Sequence, residues 1–417
     1  MKILYLNFDR GIPVLGDKGA SVHVREFVRA AADLGHEVTV ICARLGAGNA
    51  KPPAEIVELA PQQDTSATRM LAESLQIDAT GLDATLVSGE LAKLIYDQSA
   101  AERVMAVLQE QCFRPDFIYE RHTLFSSAGI DIARRIGCPR ILEVNAPLAE
   151  EQKRFRGLRL ESIARRMEAN SFEAADSIIA VSEAVGDYVQ SLLADDEQRV
   201  HVVPNGVDLR RFAAGQLNRQ EVRSRLGVDA KTGIIGFVGS FKSWHGTDFL
   251  FEIYRSIAPM RNVHLLAVGD GPRWGELYGK VASSSCRDTV TLTGRVPHAE
   301  IPAWTAACDV VVAPYHAAVD FYFSPLKVIE ALACARPVVA PRIGQLVELI
   351  EDGRTGLLYQ PDDAQDCTKA ITTLLDDPER RVAMGAAAQE SVGARGWDRI
   401  VMRVLELADA ARMGEAA

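Results

Sequence analysis

No apolar run reaches the roughly 18 residues that a bilayer-crossing helix requires, and the opening MKILYLNFDR lacks the basic, apolar and small-residue zones of a secretory signal. A cytoplasmic protein is expected. Excess positive charge is missing as well: 46 Lys and Arg stand against 56 Asp and Glu, a net charge of −10. A general nucleic-acid binder needs a basic footprint, so that class is disfavoured. Cysteine is sparse and unpatterned. The seven residues, at 42, 112, 138, 286, 308, 334 and 367, are odd in number, widely spaced and form no CxxC pair. They read as reduced, mostly buried thiols rather than disulfides or metal ligands. No aspartate-rich metal motif, low-complexity segment or repeat linking the two halves is present.

What remains is an ordinary soluble composition, 48% hydrophobic and 24% charged, in a chain of 417 residues, long enough for two cores. Short apolar runs rich in β-branched residues alternate with longer helical patterns, the mark of parallel α/β architecture. The first half offers KILYLNF, EVTVICA, DFIYER, PRILEVN, DSIIAVS and RVHVV as strands. The second offers GIIGFVG, VHLLAVG, VTLTG, DVVVAPY, PVVAP and TGLLY. Each half can therefore build its own doubly wound sheet. The break is expected at 204–220, PNGVDLRRFAAGQLNRQ, where turn residues cluster and apolar periodicity lapses. This gives domains of 1–205 and 206–395, followed by 396–417. Open α/β sheets bind ligands beyond the carboxyl ends of their strands, so two such edges facing a central cleft suit a two-substrate reaction.

In the second half three glycine-bearing turns follow strands: GFVGSFKSWHG with Gly239, Lys242 and His245, LLAVGDGP with Gly269 and Asp270, and TLTGRV with Gly294 and Arg295. Glycine there lets a ligand approach the backbone. Further on, SPLKVIEALA reads as a helix capped by Ser324 with Pro325 at its first position. Lys327 then falls in the first turn, where the helix dipole makes a cation unfavourable by about 0.3–1 kcal/mol. An anion held by the N–H groups of that turn reverses the sign, because Lys327 then adds a point charge to the same ligand. Glu330, one turn deeper, can accept two ribose hydroxyls. The plainer reading is an i,i+3 ion pair on a solvated helix face, worth about 0.2–0.5 kcal/mol.

These motifs, in the order GDKGASVHVREFVRAAADLGHEVTV, VVPNGVDLRRF, GFVGSFKSWHG, LLAVGDGPRWGEL, VTLTGRVPHAEIPAWTAACDVVVAPY, SPLKVIEALACARPVVA and RTGLLYQPDD, give the chain a resemblance to the retaining glycosyltransferases of family 4 over essentially its whole length. The resemblance implies the GT-B fold: two Rossmann-like domains, the first binding the acceptor and the second a UDP- or GDP-sugar, with the last helix crossing back to the first domain. No metal is implied. It places Glu330 on the ribose, the backbone at Leu326 and Lys327 on the phosphates, Val296 at the base, and Gly269 and Asp270 in the glycine-rich turn lining the cleft. The chain departs from the family pattern where the first glutamate of E-x7-E is Tyr322, with Asp320 as the nearby replacement. The strand-end Arg and Lys fall on Ser240 and His245, leaving Lys242 and Lys327 as substitute cations. Charge growing on the departing phosphate is then met by Lys327, Lys242, His245 and the helix start.

In the first half, Gly19, Ala20 and Ser21 open a helix that faces the cleft, and His23 is either an acceptor contact or packing. Relatives commonly carry a second glycine where Ala20 stands. At the end of DFIYER, Arg121 or His122 faces the sugar, with Arg121 preferred. Only one can point inward, because a strand flips sides at each residue. Glu143 and Asn145 end another strand and suit acceptor hydroxyls or a satisfied turn. Residues 153–166, KRFRGLRLESIARR, carry six basic side chains against Glu161 alone, so peripheral contact with an anionic membrane or an acidic acceptor stands beside a solvated helix face. Two rival functions use a similar fold: a sugar-nucleotide epimerase and a catalytically silent nucleotide-binding partner subunit. Neither needs an acceptor.

Overall fold

Strands covered by helices on both faces are apolar along their whole length rather than at alternate positions; all twelve runs singled out above form strands, and two of those at sheet edges, Val200–Val202 and Val290–Leu292, are only half-buried. The computed structural model of the chain describes residues 1–62, 64–77, 83–194, 199–317, 321–322 and 324–414. The chain divides into one unit of Met1–Pro204 with Trp397–Ala417 and a second of Asn205–Gly396.

In the first unit β1 (Lys2–Asn7), β2 (Glu37–Cys42), β3 (Glu55–Glu58), β4 (Phe117–Arg121), β5 (Arg140–Val144), β6 (Ser177–Ala180) and β7 (Val200–Val202) form a parallel sheet in the order β3-β2-β1-β4-β5-β6-β7. Strand β3 was not anticipated. Its sequence, EIVE, is charged at both ends and flanked by prolines, as suits a short edge strand paired on one side only. In the second unit β8 (Gly233–Val238), β9 (Val263–Val268), β10 (Val290–Leu292), β11 (Val310–Val312), β12 (Val338–Pro341) and β13 (Gly356–Tyr359) are ordered β10-β9-β8-β11-β12-β13. Strand order reverses between β1 and β4 in one sheet and between β8 and β11 in the other. Those crevices are where a doubly wound fold binds ligands.

The segment 204–220 differs from its reading as a turn-rich break. It holds helix Leu209–Ala214, a single 3₁₀ turn over Gly215–Asn218 and the start of helix Arg219–Arg225. Few apolar residues are needed because polar anchors replace them. Arg219 and Arg223 donate to Asp309 at 2.7 and 3.1 Å, and the same carboxylate accepts from the Ile234 amide that opens β8. Phe212 and Val222 supply the apolar contact. The closing helix, Trp397–Met413, belongs to the first unit and lies on the first helix, Gly19–Asp33, burying Trp397, Val401, Val404, Leu407 and Ala408. This is the crossing back of the GT-B fold. Among the described residues no helix is long and apolar enough to cross a membrane.

Candidate active site

In the second unit the three glycine turns are stitched into one seam. Gly239 donates to Val268 O, Phe241 to Asp270 O and Gly269 to Gly294 O, all at 2.9–3.1 Å. Gly269 has φ +128°, and a Cβ there would lie 2.0 Å from the Gly239 carbonyl, so the backbones touch and only glycine fits. Gly246, φ +61°, likewise brings the loop after β8 against Pro314 O beyond β11. Asp270 is exposed, accepts from the Gly271 amide and faces Arg295 at 3.7 Å, and Val296 packs on the core.

Lys327 reaches into the crevice between β8 and β11. Its helix spans Leu326–Ala333, with Pro325 in the capping position and no side-chain cap. The expected Ser324 cap is not formed: the Ser324 hydroxyl accepts from the Asn205 amide at 3.2 Å, and its carbonyl accepts from Asn205 Nδ2 at 2.9 Å. The first N–H groups of the helix are left without intrahelical acceptors. The Lys327 ammonium sits 4.6 Å from the ring centres of both Phe237 and Tyr315, fully enclosed, with no hydrogen-bond partner among the described residues. A Cβ on Gly239 would lie 3.1 Å from it. Burial and the nearby Lys242 charge push its pKa from 10.5 down to about 7. An i,i+3 pair with Glu330 is therefore not what this lysine makes.

His245 adds no positive charge to that of Lys327. Its Nδ1 hydrogen-bonds the Ser240 carbonyl, which fixes the hydrogen on that nitrogen, and its ring stands edge-on to Tyr315. Burial, Lys327 and Lys242 together push its pKa down to about 2, so the imidazole is neutral. Lys242 is exposed, 4.7 Å over the Trp244 ring. Glu330 faces His298, with Nε2 3.1 Å from Oε1. Asp320 lies outside the described residues, and Tyr322 is half-buried.

In the first unit the polar residues expected at the acceptor bind one another. His23 Nε2 lies 2.6 Å from Glu143 Oε1, Tyr119 donates to the same oxygen at 2.9 Å, and Arg121 donates to Oε2 at 3.2 Å. Burial alone raises the Glu143 pKa, but the His23 and Arg121 charges and these hydrogen bonds outweigh it and hold it at about 2. His23 meets Trp397 edge-on, 4.9 Å between ring centres, which ties the network to the closing helix. Arg121 and His122 do point apart, yet neither faces solvent: His122 pairs with Glu168 at 3.2 Å, and Tyr188 donates to the other oxygen of that glutamate. This is a buried polar network with its partners inside the protein. Gly19 is exposed at the helix start, Ala20 is half-buried, and the Ser21 hydroxyl is enclosed without a partner among the described residues.

A cavity of about 330 Å³ opens beside this network, at the β1/β4 reversal. Its walls come from Phe8–Gly11 after β1, Lys93 and Asp97 from the helix Ala84–Glu110, Thr123–Ser126 after β4, and Leu148, Gln152 and Arg156 after β5. Asp97 builds one wall by accepting from Ser126 Oγ, the Ser127 amide and hydroxyl, and the Ala128 amide, at 2.6–3.1 Å. That clamp holds Phe125 at φ +68°, a conformation costly for a bulky side chain and typical of ligand-facing loops. Burial and the neighbouring Arg156 and Arg10 charges depress the Lys93 pKa, against the opposing pull of Asp9 and Glu90. The basic stretch 153–166 is largely neutralised: Lys153 pairs with Glu161, Arg156 with Glu151, Arg159 with Asp83, and Arg165 with Glu150 and Glu161. Its pull on an anionic membrane is correspondingly small. Among the described residues no group of three or more His, Cys, Asp or Glu is placed to hold a metal ion.

Residues 18–211 match the profile of "Glycosyltransferase Family 4", and residues 232–377 match that of "Glycosyl transferases group 1". A D-inositol 3-phosphate glycosyltransferase of Pseudarthrobacter chlorophenolicus is 30% identical over 409 residues, covering 94% of this chain and 91% of the relative. The chain belongs to glycosyltransferase family 4. It is accordingly an enzyme of the retaining, hexosyl-transferring type. An alpha-maltose-1-phosphate synthase of Mycolicibacterium smegmatis is 31% identical over 258 residues, 58% of this chain and 65% of that protein. Among solved structures, Anabaena HepE in complex with UDP superposes with TM-score 0.71 at 21% identity, covering 98% of this chain and all of HepE. Sucrose-phosphate synthase from Thermosynechococcus elongatus gives 0.73 at 20% identity, covering 99% and 100%. These likenesses establish the fold.

In this family 4 chain, sequence reasoning missed Lys93, Arg10 and His298, and read Arg156 only as one of the six basic residues of 153–166. Lys93 lies mid-way along a 27-residue helix with no local signal, and only the fold brings it to the strand ends. His298 had a signal: it follows TGRVP, directly after the turn assigned to the base.

Proposed function

We propose that the enzyme moves a hexosyl group from a UDP- or GDP-sugar to a hydroxyl of an anionic polyol or sugar-phosphate acceptor, without a metal. The enclosed Lys327 ammonium at the β8/β11 reversal, without a hydrogen-bond partner among the described residues, is the observation that carries this reading. A buried cation without an acceptor is costly, and a diphosphate at the start of helix Leu326–Ala333 relieves that cost while taking the free N–H groups. Lys242 flanks the same anion from the exposed loop, and Glu330 takes the ribose.

As the bond from the anomeric carbon to the phosphate oxygen breaks, negative charge on that oxygen grows, and Lys327 and the helix start stabilise it more than they do the ground state. The acceptor oxygen forms the new bond on the face the phosphate leaves, and its proton passes to the leaving phosphate. Configuration is retained. The acceptor sits in the 330 Å³ cavity. Arg10, Lys93 and Arg156 line it beside Asp9, Asp97 and Glu151, so cations to meet an anionic group stand next to carboxylates that can accept from hydroxyls, and relatives are named for D-inositol 3-phosphate.

The test incubates the enzyme with UDP- and GDP-hexoses and a panel of inositol phosphates, sugar phosphates and their neutral counterparts, following nucleoside diphosphate release and product anomer. Release that depends on a phosphorylated acceptor, falling at least tenfold in Lys327→Ala and in Glu330→Ala, is expected. Undiminished turnover in both variants would overturn the donor assignment, and equal use of neutral acceptors would overturn the anionic one.

A further inference from the structure

We infer that His298 is a positioning residue that presents the Glu330 carboxylate to the donor's ribose; this rests on the assignment of Glu330 given above. His298 opens a single 3₁₀ turn, His298–Glu300, between β10 and helix Ile301–Ala307. Its Nε2 lies 3.1 Å from Glu330 Oε1, with side-chain exposures of 23% and 12%. The ring leans on buried Phe212, 6.2 Å between centres, so the imidazole is held from behind while it holds the glutamate in front. Among the described residues the Glu330 carboxylate makes no other hydrogen bond.

Three consequences follow from the chemistry of the pair. A carboxylate has about four acceptor sites over its two oxygens, and His298 consumes one on Oε1, leaving enough for both hydroxyls of a ribose. A glutamate side chain otherwise loses much rotamer freedom when it captures a ligand, and a partner that fixes it beforehand removes part of that loss from binding. A carboxylate tethered through one oxygen also favours one geometry for the diol, which turns a general acceptor into one that distinguishes ribose from deoxyribose. Packing alone does not require the contact, since Glu330 is on the rim of its helix and not in the core.

Titration of the enzyme with UDP, GDP and ADP, each beside its 2′-deoxy counterpart, tests the assignment. For the tightest nucleotide, His298→Ala is expected to weaken ribonucleotide binding about tenfold and leave the 2′-deoxynucleotide unchanged, so that the preference collapses. His298→Gln, which retains a donor, keeps most of it. In turnover the donor KM rises with kcat retained. His298→Phe preserves the contact with Phe212 while deleting the donor, and reads the same comparison should the alanine variant fold poorly. A ribose preference kept in His298→Ala and His298→Phe but lost in Glu330→Gln overturns the role of His298 and leaves Glu330 standing. A preference kept in Glu330→Gln as well, or no binding of any of the three nucleotides, removes the role of Glu330 and that of His298 with it.

Discussion

Replacing Lys327 by methionine is expected to make the protein more stable and worse at its task. Methionine keeps the unbranched stem against Phe237 and Tyr315 but removes the buried charge. A fall in pKa from 10.5 to about 7 corresponds, at 1.36 kcal/mol per pKa unit, to about 5 kcal/mol against the charged form. The two ring faces at 4.6 Å return up to about 2 kcal/mol for a desolvated cation, and the stem retains some exposure. A net gain of about 2 kcal/mol is therefore expected for Lys327→Met near pH 7, or roughly 4–8 °C in Tm for a unit of this size.

The sign of the pH dependence is fixed by the direction of the shift. Between about pH 7 and 10.5 the unfolded chain holds a proton at Lys327 that the folded chain does not, so wild-type stability rises with pH in that window. Below about pH 7 the penalty is present in full. The advantage of Lys327→Met thus narrows as pH is raised from 7 towards 10.5. Differential scanning fluorimetry with and without UDP or GDP reads both halves: Tm up for the variant alone, and the nucleotide-induced rise lost. A lower Tm for Lys327→Met, or an undiminished nucleotide shift, would refute the reasoning.

Glu143→Ala strands the buried Arg121 and His23 and should cost about 3–5 kcal/mol in urea denaturation, with nucleotide affinity in the folded variant unchanged. Because the Glu143 pKa is held at about 2 against an ordinary 4.5, its stabilisation is complete above pH 4.5 and lost as pH falls through 2; Glu143→Gln should flatten the acid limb of the stability profile. Lys93→Met and Arg156→Ala should each raise the KM for a phosphorylated acceptor about tenfold and leave the donor KM alone, as steady-state kinetics with either substrate varied will reveal. Gly269→Ala, whose Cβ meets the Gly239 carbonyl at φ +128°, should lower stability by more than about 2 kcal/mol and weaken nucleotide binding, measured by thermal unfolding and calorimetry.

Continuous apolar strands made both sheets legible, since a strand buried on two faces has no alternation to obscure it. The edge strand Glu55–Glu58 escaped for the converse reason: pairing on one side permits a polar sequence that looks like loop. The helices after Asn205 escaped because arginine–aspartate contacts, not an apolar stripe, fix them. The residues proposed to hold the donor could be singled out because they follow strands in local motifs. His23, Arg121 and Glu143 illustrate the limit of such reasoning. Polar residues at strand ends carry the same one-dimensional signal whether they await a ligand or each other, and only the 2.6–3.2 Å distances among them separate the cases.

On the proposed reading, the departures from the family pattern that the resemblance implies at Ser240 and His245 have a physical rationale in the place Lys327 occupies. Two exposed cations on a loop act through a solvent-like dielectric, where a unit charge at 4 Å is worth about 1 kcal/mol, whereas at an effective constant of 20 the same pair is worth about 4 kcal/mol. On the proposed reading, one enclosed lysine can therefore do the electrostatic work of several surface ones, and salt screens it less. Such a lysine tolerates no second buried cation beside it. His245, next to Lys327 and bonded to Ser240 O, is accordingly neutral, and an arginine or lysine at either position would place a like charge against the ammonium. The loss of the loop cations and the gain of the enclosed one are, in this view, a single substitution of one phosphate-binding scheme for another.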